Sequence, residues 1–144
     1  MSTKAIVITG ASTGIGQACA LHLDKLGFRV FAGVRNETDA SSLKQASSDR
    51  LTPVYIDIIK PDSILKATKV IETELKTVGL HGLINNAGIV IAGPLEFVPI
   101  DALRSQLEIN VVGQVAVTQA LLPLLRRCRG RIINMSSVSG RVAT

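Results

Sequence analysis

The feature that most constrains this chain is the junction at its start. A short β-branched run, Ala5 to Thr9, meets three glycines spaced Gly-x3-Gly-x-Gly, at Gly10, Gly14 and Gly16. A helical pattern begins directly behind them, with Ile15, Cys19, Leu23 and Leu26 at one-face spacing. Strand, glycine turn and helix in immediate succession allow few folds. Glycine tolerates backbone angles that a Cβ forbids and lets a main chain approach another group closely. The helix start behind it offers free N–H groups and a partial positive charge, which favours an anion such as a pyrophosphate. Ser12 and Thr13 add hydroxyl donors. A tight connection with no ligand needs the same glycines, so the turn alone decides nothing.

The rest of the chain repeats the alternation. Gly27 stands where a helix C-terminus calls for a left-handed residue. A second strand is expected over 29–34, a short polar helix over 39–47 and a third strand over 53–58. Pro61 opens a helix to about Thr77, carrying Ile64, Leu65, Thr68, Ile71 and Leu75. A fourth strand follows at 83–85, an irregular loop at 93–99, a long helix at 101–127 and a fifth strand at 131–135; 136–144 reads as loop. Alternating strands and helices imply right-handed βαβ units and a parallel sheet. The fold class is therefore α/β, a doubly wound Rossmann-type sheet, with one domain over 1–144 and no internal repeat. The expected strand order is 3-2-1-4-5. A chain ending just behind a strand reads as C-terminally incomplete.

Composition narrows the function. Of 144 residues, 47% are hydrophobic and 3% aromatic, so the core is aliphatic. The formal net charge is +5, with Arg126, Arg127, Arg129 and Arg131 close together. No aromatic residues interleave these arginines to stack bases, which argues against nucleic acid. Cations at a helix C-terminus complement its dipole instead. Cys19 and Cys128 form neither a disulfide framework nor a metal pattern. No signal-peptide cleavage pattern is present. The apolar stretch 111–125 is too short and too interrupted to span a bilayer. A cytoplasmic protein without membrane contact is expected.

Four motifs in order identify a family resemblance. Thr9-Gly10-Ala11-Ser12-Thr13-Gly14-Ile15-Gly16 resembles the fingerprint of the short-chain dehydrogenase/reductase family. Asp57-Ile58 resembles the pair that contacts the adenine ring, and Asn85-Asn86-Ala87-Gly88 the Asn-Asn-Ala-Gly turn behind the fourth strand. Arg131 to Ser137 resembles the fifth strand leading to the catalytic serine. The resemblance implies a nicotinamide dinucleotide held by Gly10, Ser12, Thr13, Gly14, Ile15, Gly16, Arg35, Asp57, Ile58, Asn86, Ala87 and Gly88. It implies hydride transfer to or from a small carbonyl or alcohol, a serine at Ser137 and a helix asparagine at Asn110. Each has a plainer reading. Asp57 can be a strand-end residue, the asparagines can brace a turn, Ser137 can cap a following helix and Asn110 can be satisfied by backbone carbonyls.

The family's position for choosing between nicotinamide cofactors holds Val34, where NAD-preferring relatives carry an acid. Arg35 follows and can pair with a 2′-phosphate, which favours NADP(H). Glu37 and Asp39 keep NAD(H) open, and Thr13 stands where NADP-preferring relatives often place a base. The family's Tyr-x3-Lys pair has no counterpart behind Ser137, since the only tyrosine is Tyr55 and the last lysine is Lys76. The 144 residues alone are therefore expected to be catalytically incomplete. Alternatives are a non-enzymatic dinucleotide-binding module and a truncated pseudoenzyme. A lipophilic substrate rests on general likeness alone. The face Leu103, Leu107, Val111 and Val115 is expected to be exposed, so that the chain self-associates through 101–127.

Overall fold

The computed structural model describes residues 4–142. Its elements run β1 (Ala5–Ile8), α1 (Gly14–Lys25), β2 (Arg29–Val34), α2 (Glu37–Ala46), β3 (Leu51–Tyr55), α3 (Pro61–Leu75), β4 (Gly82–Asn85), α4 (Ile100–Leu107), a π-helical turn (Glu108–Gly113), α5 (Gln114–Arg127) and β5 (Arg131–Asn134). The strands form one parallel sheet in the order β3-β2-β1-β4-β5, the order expected of the Rossmann-type class.

Successive strand residues face opposite sides of a sheet, and here both sides are covered. Val7, Phe31 and Leu83 pack with Ile64 and Ile71 of α3 and Val117, Leu121 and Leu124 of α5. Ile8, Val30 and Ile84 pack with Ala20 of α1 and Leu43 of α2. This explains the unbroken apolar runs of β1 and β2, since a strand buried on both faces has no polar side.

Several expectations shift. The buried face of α1 is Gly16, Ala20 and Asp24, while Ile15 and Leu26 are 65% and 60% exposed. Small residues let this helix lie close to the sheet, a fit that hydrophobic periodicity does not read. In α3 the core takes Ile64, Ala67, Ile71 and Leu75 and leaves Leu65 exposed. Strand β3 begins and ends earlier than expected. Pro53 lies inside it, opposite Ala32; β3 is an edge strand, where a missing N–H is tolerated. Asp57 and Ile58 consequently lie beyond the strand, not at its end. Helix α2 starts at Glu37 because the Asn36 side chain caps it, accepting from the Asp39 N–H at 2.9 Å. Gly27 adopts φ +87° at the C-terminus of α1, and the Phe28 N–H bonds the Leu23 carbonyl at 3.1 Å. The loop at 93–99 contains a 3₁₀ turn, Leu95–Phe97, and another, Val138–Gly140, follows β5.

The long helix corrects the sequence reading most. From Ile100 to Arg127 it is continuous over 28 residues, and by length and composition it could cross a membrane. The apolar segment is thus longer than the stretch 111–125 read from the sequence. Its second half packs on the sheet through Val117, Leu121, Leu124 and Leu125, which is the part of a helix in an α/β layer. Leu103, Leu107, Val111 and Val115 are exposed, as expected.

A buried ionic clasp ties α1 to the loop before β3. Asp24, 3% exposed, accepts from the Ser48 hydroxyl and from the Ser48 N–H at 2.8 Å. Burial pushes its carboxyl up, but the Ser48 hydrogen bonds and the Arg50 and Lys44 charges outweigh that and hold it below the usual carboxylate value.

Candidate functional site

The chain leaves β1 for β2 on one side and returns across β1 to β4 on the other. In an open α/β sheet, that reversal leaves a crevice at the carboxyl ends of the strands, where ligands bind. A cleft of about 340 Å³ opens at this point. Its lining includes Gly10, Ser12, Thr13, Ile15, Gly16, Arg35, Asp57, Ile58, Asn86, Ala87 and Gly88. Every residue expected to hold a cofactor is there except Gly14. That glycine instead turns the chain into α1 at φ +58° and would meet nothing if it carried a Cβ.

The glycines are needed for closeness. At Gly10, φ +65°, a Cβ would lie 2.8 Å from the Ala87 backbone; at Gly16 it would lie 2.2 Å from the Gly10 carbonyl oxygen and 2.4 Å from Asn86 Nδ2. The first turn of α1 has no side-chain cap, so its N–H groups stay free for an anion in the cleft. A pyrophosphate fits this cradle.

Thr9, 1% exposed, fixes the two loops to each other. Its Oγ1 accepts from the N–H groups of Asn86 and Ala87, both at 3.0 Å. Asn86 returns the contact, donating from Nδ2 to the carbonyls of Thr9 and Gly10 at 3.0 Å each. Asn86 therefore braces the turn, as its plainer reading proposed, while its residue also lines the cleft. The sequence marks Thr9 only by its place at the strand end, directly before the first glycine.

At the far end of the cleft Arg35 is exposed and forms no ion pair among the described residues. Both nearby acids are engaged. Glu37 accepts from the Tyr55 hydroxyl, and Asp39 accepts from Asn36 Nδ2 at 2.9 Å. That hydrogen bond to Glu37, together with burial and the glutamate charge, holds the Tyr55 phenol above its ordinary value. Asp57 pairs with Lys60 at 3.1 Å, and its N–H donates to Ser63 Oγ at 2.8 Å.

The two expected catalytic residues are not brought together in this cleft. Asn110 sits in the π-helical turn. Its Oδ1 accepts from the Ile89 N–H at 2.9 Å, and its Nδ2 donates to the Ile89 carbonyl at 2.8 Å. Its side chain is thus spent on backbone. Ser137 lies behind β5, exposed, and its Oγ accepts from the Ser139 N–H at 3.2 Å as a cap. Asn110, but not Ser137, lines a second hollow together with Asn85, Gln114, Thr118, Asn134 and Ser136. Asn85 is 2% exposed there; Nδ2 donates to Thr118 and Asn134, and Oδ1 has no partner.

This fold and crevice define an α/β protein with a glycine-rich turn at its switch point. Residues 4–144 match the model of the short chain dehydrogenase family, and the chain belongs to that family of oxidoreductases. It is 43% identical to human retinol dehydrogenase 5 over 99% of this chain and 45% of that protein. It is 41% identical to bovine 17-beta-hydroxysteroid dehydrogenase type 6, again over 99% and 45%. It is 40% identical to bovine mitochondrial D-beta-hydroxybutyrate dehydrogenase, over 99% and 43%. The chain therefore spans less than half the length of these curated relatives. A short-chain dehydrogenase from Streptomyces avermitilis superposes with a TM-score of 0.90 at 30% identity, over 99% of this chain and 52% of that one.

Proposed function

We propose that the cleft binds NADP(H), and that these residues form the cofactor-binding part of an oxidoreductase acting on a carbonyl or alcohol. The observation that carries the cofactor preference is the pairing at the cleft's far end. Arg35 has no anionic partner among the described residues, while Glu37 and Asp39 are both held by hydrogen bonds. A 2′-phosphate thus meets an available guanidinium, while each nearby acid already has one oxygen engaged by a neighbouring side chain. When bound, the dinucleotide supplies or accepts the hydride.

The chain's own groups bind and orient. The α1 N-terminus with Ser12 and Thr13 holds the pyrophosphate, Asp57 and Ile58 border the adenine, and Asn86 to Gly88 carry the ribose side. Ser137 offers a hydroxyl to the substrate oxygen, where a donor stabilises developing charge. No tyrosine follows Tyr55 and no lysine follows Lys76 in these 144 residues. The chain by itself therefore binds the dinucleotide without turning over substrate. The names of the relatives favour a lipophilic alcohol, such as a retinol or a hydroxysteroid.

Titration with NADPH and NADH tests the cofactor reading. NADPH is expected to bind more tightly, and Arg35→Ala to remove about tenfold or more of that preference, as befits a charge-assisted contact. Equal affinities in the parent chain overturn the preference. NADPH-dependent carbonyl reduction by the chain alone, abolished by Ser137→Ala, overturns the binding-only reading.

A further inference from the structure

One edge of the long helix carries Gln106, Asn110, Gln114 and Thr118 at intervals of four. The segment running from β4 presents residues 91, 89, 87 and 85 to them at intervals of two. Gln106 Oε1 accepts from the Ile91 N–H. Asn110 bonds both backbone groups of Ile89, at 2.9 and 2.8 Å. Gln114 Nε2 donates to the Ala87 carbonyl at 2.8 Å, and Thr118 Oγ1 accepts from Asn85 Nδ2 at 2.9 Å. Each step of four up the helix answers a step of two back along the loop. The lengths agree, since four helical residues rise about 6 Å and two extended residues about 6.6 Å. Exposure alternates accordingly: Gly88 and Val90 face solvent, while 87, 89 and 91 are half-buried.

A spacing of four drifts about 40° per step around a regular α-helix, because four residues exceed one 3.6-residue turn. Three such steps would carry the last rung well off the first rung's face. The wider π turn at Glu108–Gly113 lies in the middle of the ladder and takes up that drift.

We propose that Gln106 and Gln114 are positioning residues, which together with Asn110 hold the segment 87–91 against the helix and so set the β4 wall of the cleft. The assignment of the wall to a dinucleotide rests on the function proposed above; the ladder itself does not. The two glutamines act in opposite senses. Gln106 must accept, because it faces an N–H, and Gln114 must donate, because it faces a carbonyl oxygen. A carboxylate can replace the first and not the second.

Amide hydrogen exchange on the ligand-free chain tests this directly. Gln106→Leu is expected to speed exchange at Ile91 by at least tenfold while Val7 and Phe31 in the sheet keep their rates. Gln106→Glu should restore protection. Gln114→Leu and Gln114→Glu should both speed exchange at Ile89, whose N–H is held by the neighbouring rung. A Gln106→Glu chain as loose as Gln106→Leu, or a Gln114→Glu chain as tight as the parent, overturns the ladder. In titrations, both Leu variants should weaken NADPH binding at least threefold and leave 2′,5′-ADP, which lacks the nicotinamide half, within twofold of the parent. Unchanged NADPH affinity alongside faster exchange overturns the positioning role. A parent chain that binds neither compound removes the cofactor reading instead, and the exchange rates still decide the ladder.

Discussion

Two regions at the carboxyl end of the same sheet are built in contrasting ways. Around β1 the groups answer one another: Thr9 holds Asn86 and Ala87, Asn86 holds Thr9 and Gly10, and Gly16 packs against both. Around β5 all four strand residues are exposed, Asn85 Oδ1 is buried without a partner, and the long helix shows solvent an apolar face. The contrast lies in how each region is covered. The glycine turn, proposed above as a dinucleotide cradle, is braced from both sides by contacts among these residues. On the β5 side the amides of Asn85, Asn110 and Gln114 are held by hydrogen bonds, but no described residue covers the strand itself.

The comparison can be broken most sharply at Gly16. A Cβ there must displace the Gly10 carbonyl, so Gly16→Ala should cost about 3 kcal/mol in a urea unfolding curve, the upper range for overpacking. Ser136→Ala, on the β5 side, should stay within about 0.5 kcal/mol, as exposed substitutions do. Equal costs would erase the distinction. Thr9→Val comes next. It keeps the shape and leaves two N–H groups without their acceptor, for an expected loss of about 2 kcal/mol.

A third test uses acid. The folded pKa of Asp24 is depressed, so its contribution is present above the unfolded carboxylate value, 3.8, and is lost as pH falls through the lower folded value. Thermal unfolding followed from pH 6 to 2 should show a steeper acid limb in the parent than in Asp24→Asn; identical limbs would sink the assignment. The smallest effect on stability, under about 0.5 kcal/mol, is expected from Val111→Glu on the exposed helix face. Sedimentation should nonetheless show less self-association than in the parent. A parent chain that sediments as a monodisperse monomer ends that proposal.

The strands and the glycine turn were legible in the sequence because short β-branched runs and clustered glycines carry local signals, while the strand order came with the Rossmann-type class those signals implied. The helix faces were less so. In α1 the core chose Gly16 and Ala20 over Ile15 and Leu26, since approach distance outweighed hydrophobic period. The π turn left no sequence sign; the contacts that flank it join residues distant in the chain. Gln106 and Gln114 read as ordinary polar helix residues for the same reason: their partners are backbone groups distant in the chain. Asn110 was found through the family pattern, although its contacts follow its plainer reading.

The central place of β1 has a consequence for how the molecule comes into being. Of the five strands β1 leaves the ribosome before the others, and its neighbour β2 follows within the next elements, but its other neighbour, β4, begins only at Gly82. One wall of the cleft can thus assemble on the nascent chain while the opposite wall is still being synthesised. Until Asn86 emerges, the side-chain oxygen of Thr9 has no N–H to receive from that wall, and the cradle has only one side. A stalled or shortened chain ending before that point has the three glycines but neither the brace that Asn86 gives their turn nor the second wall of the crevice.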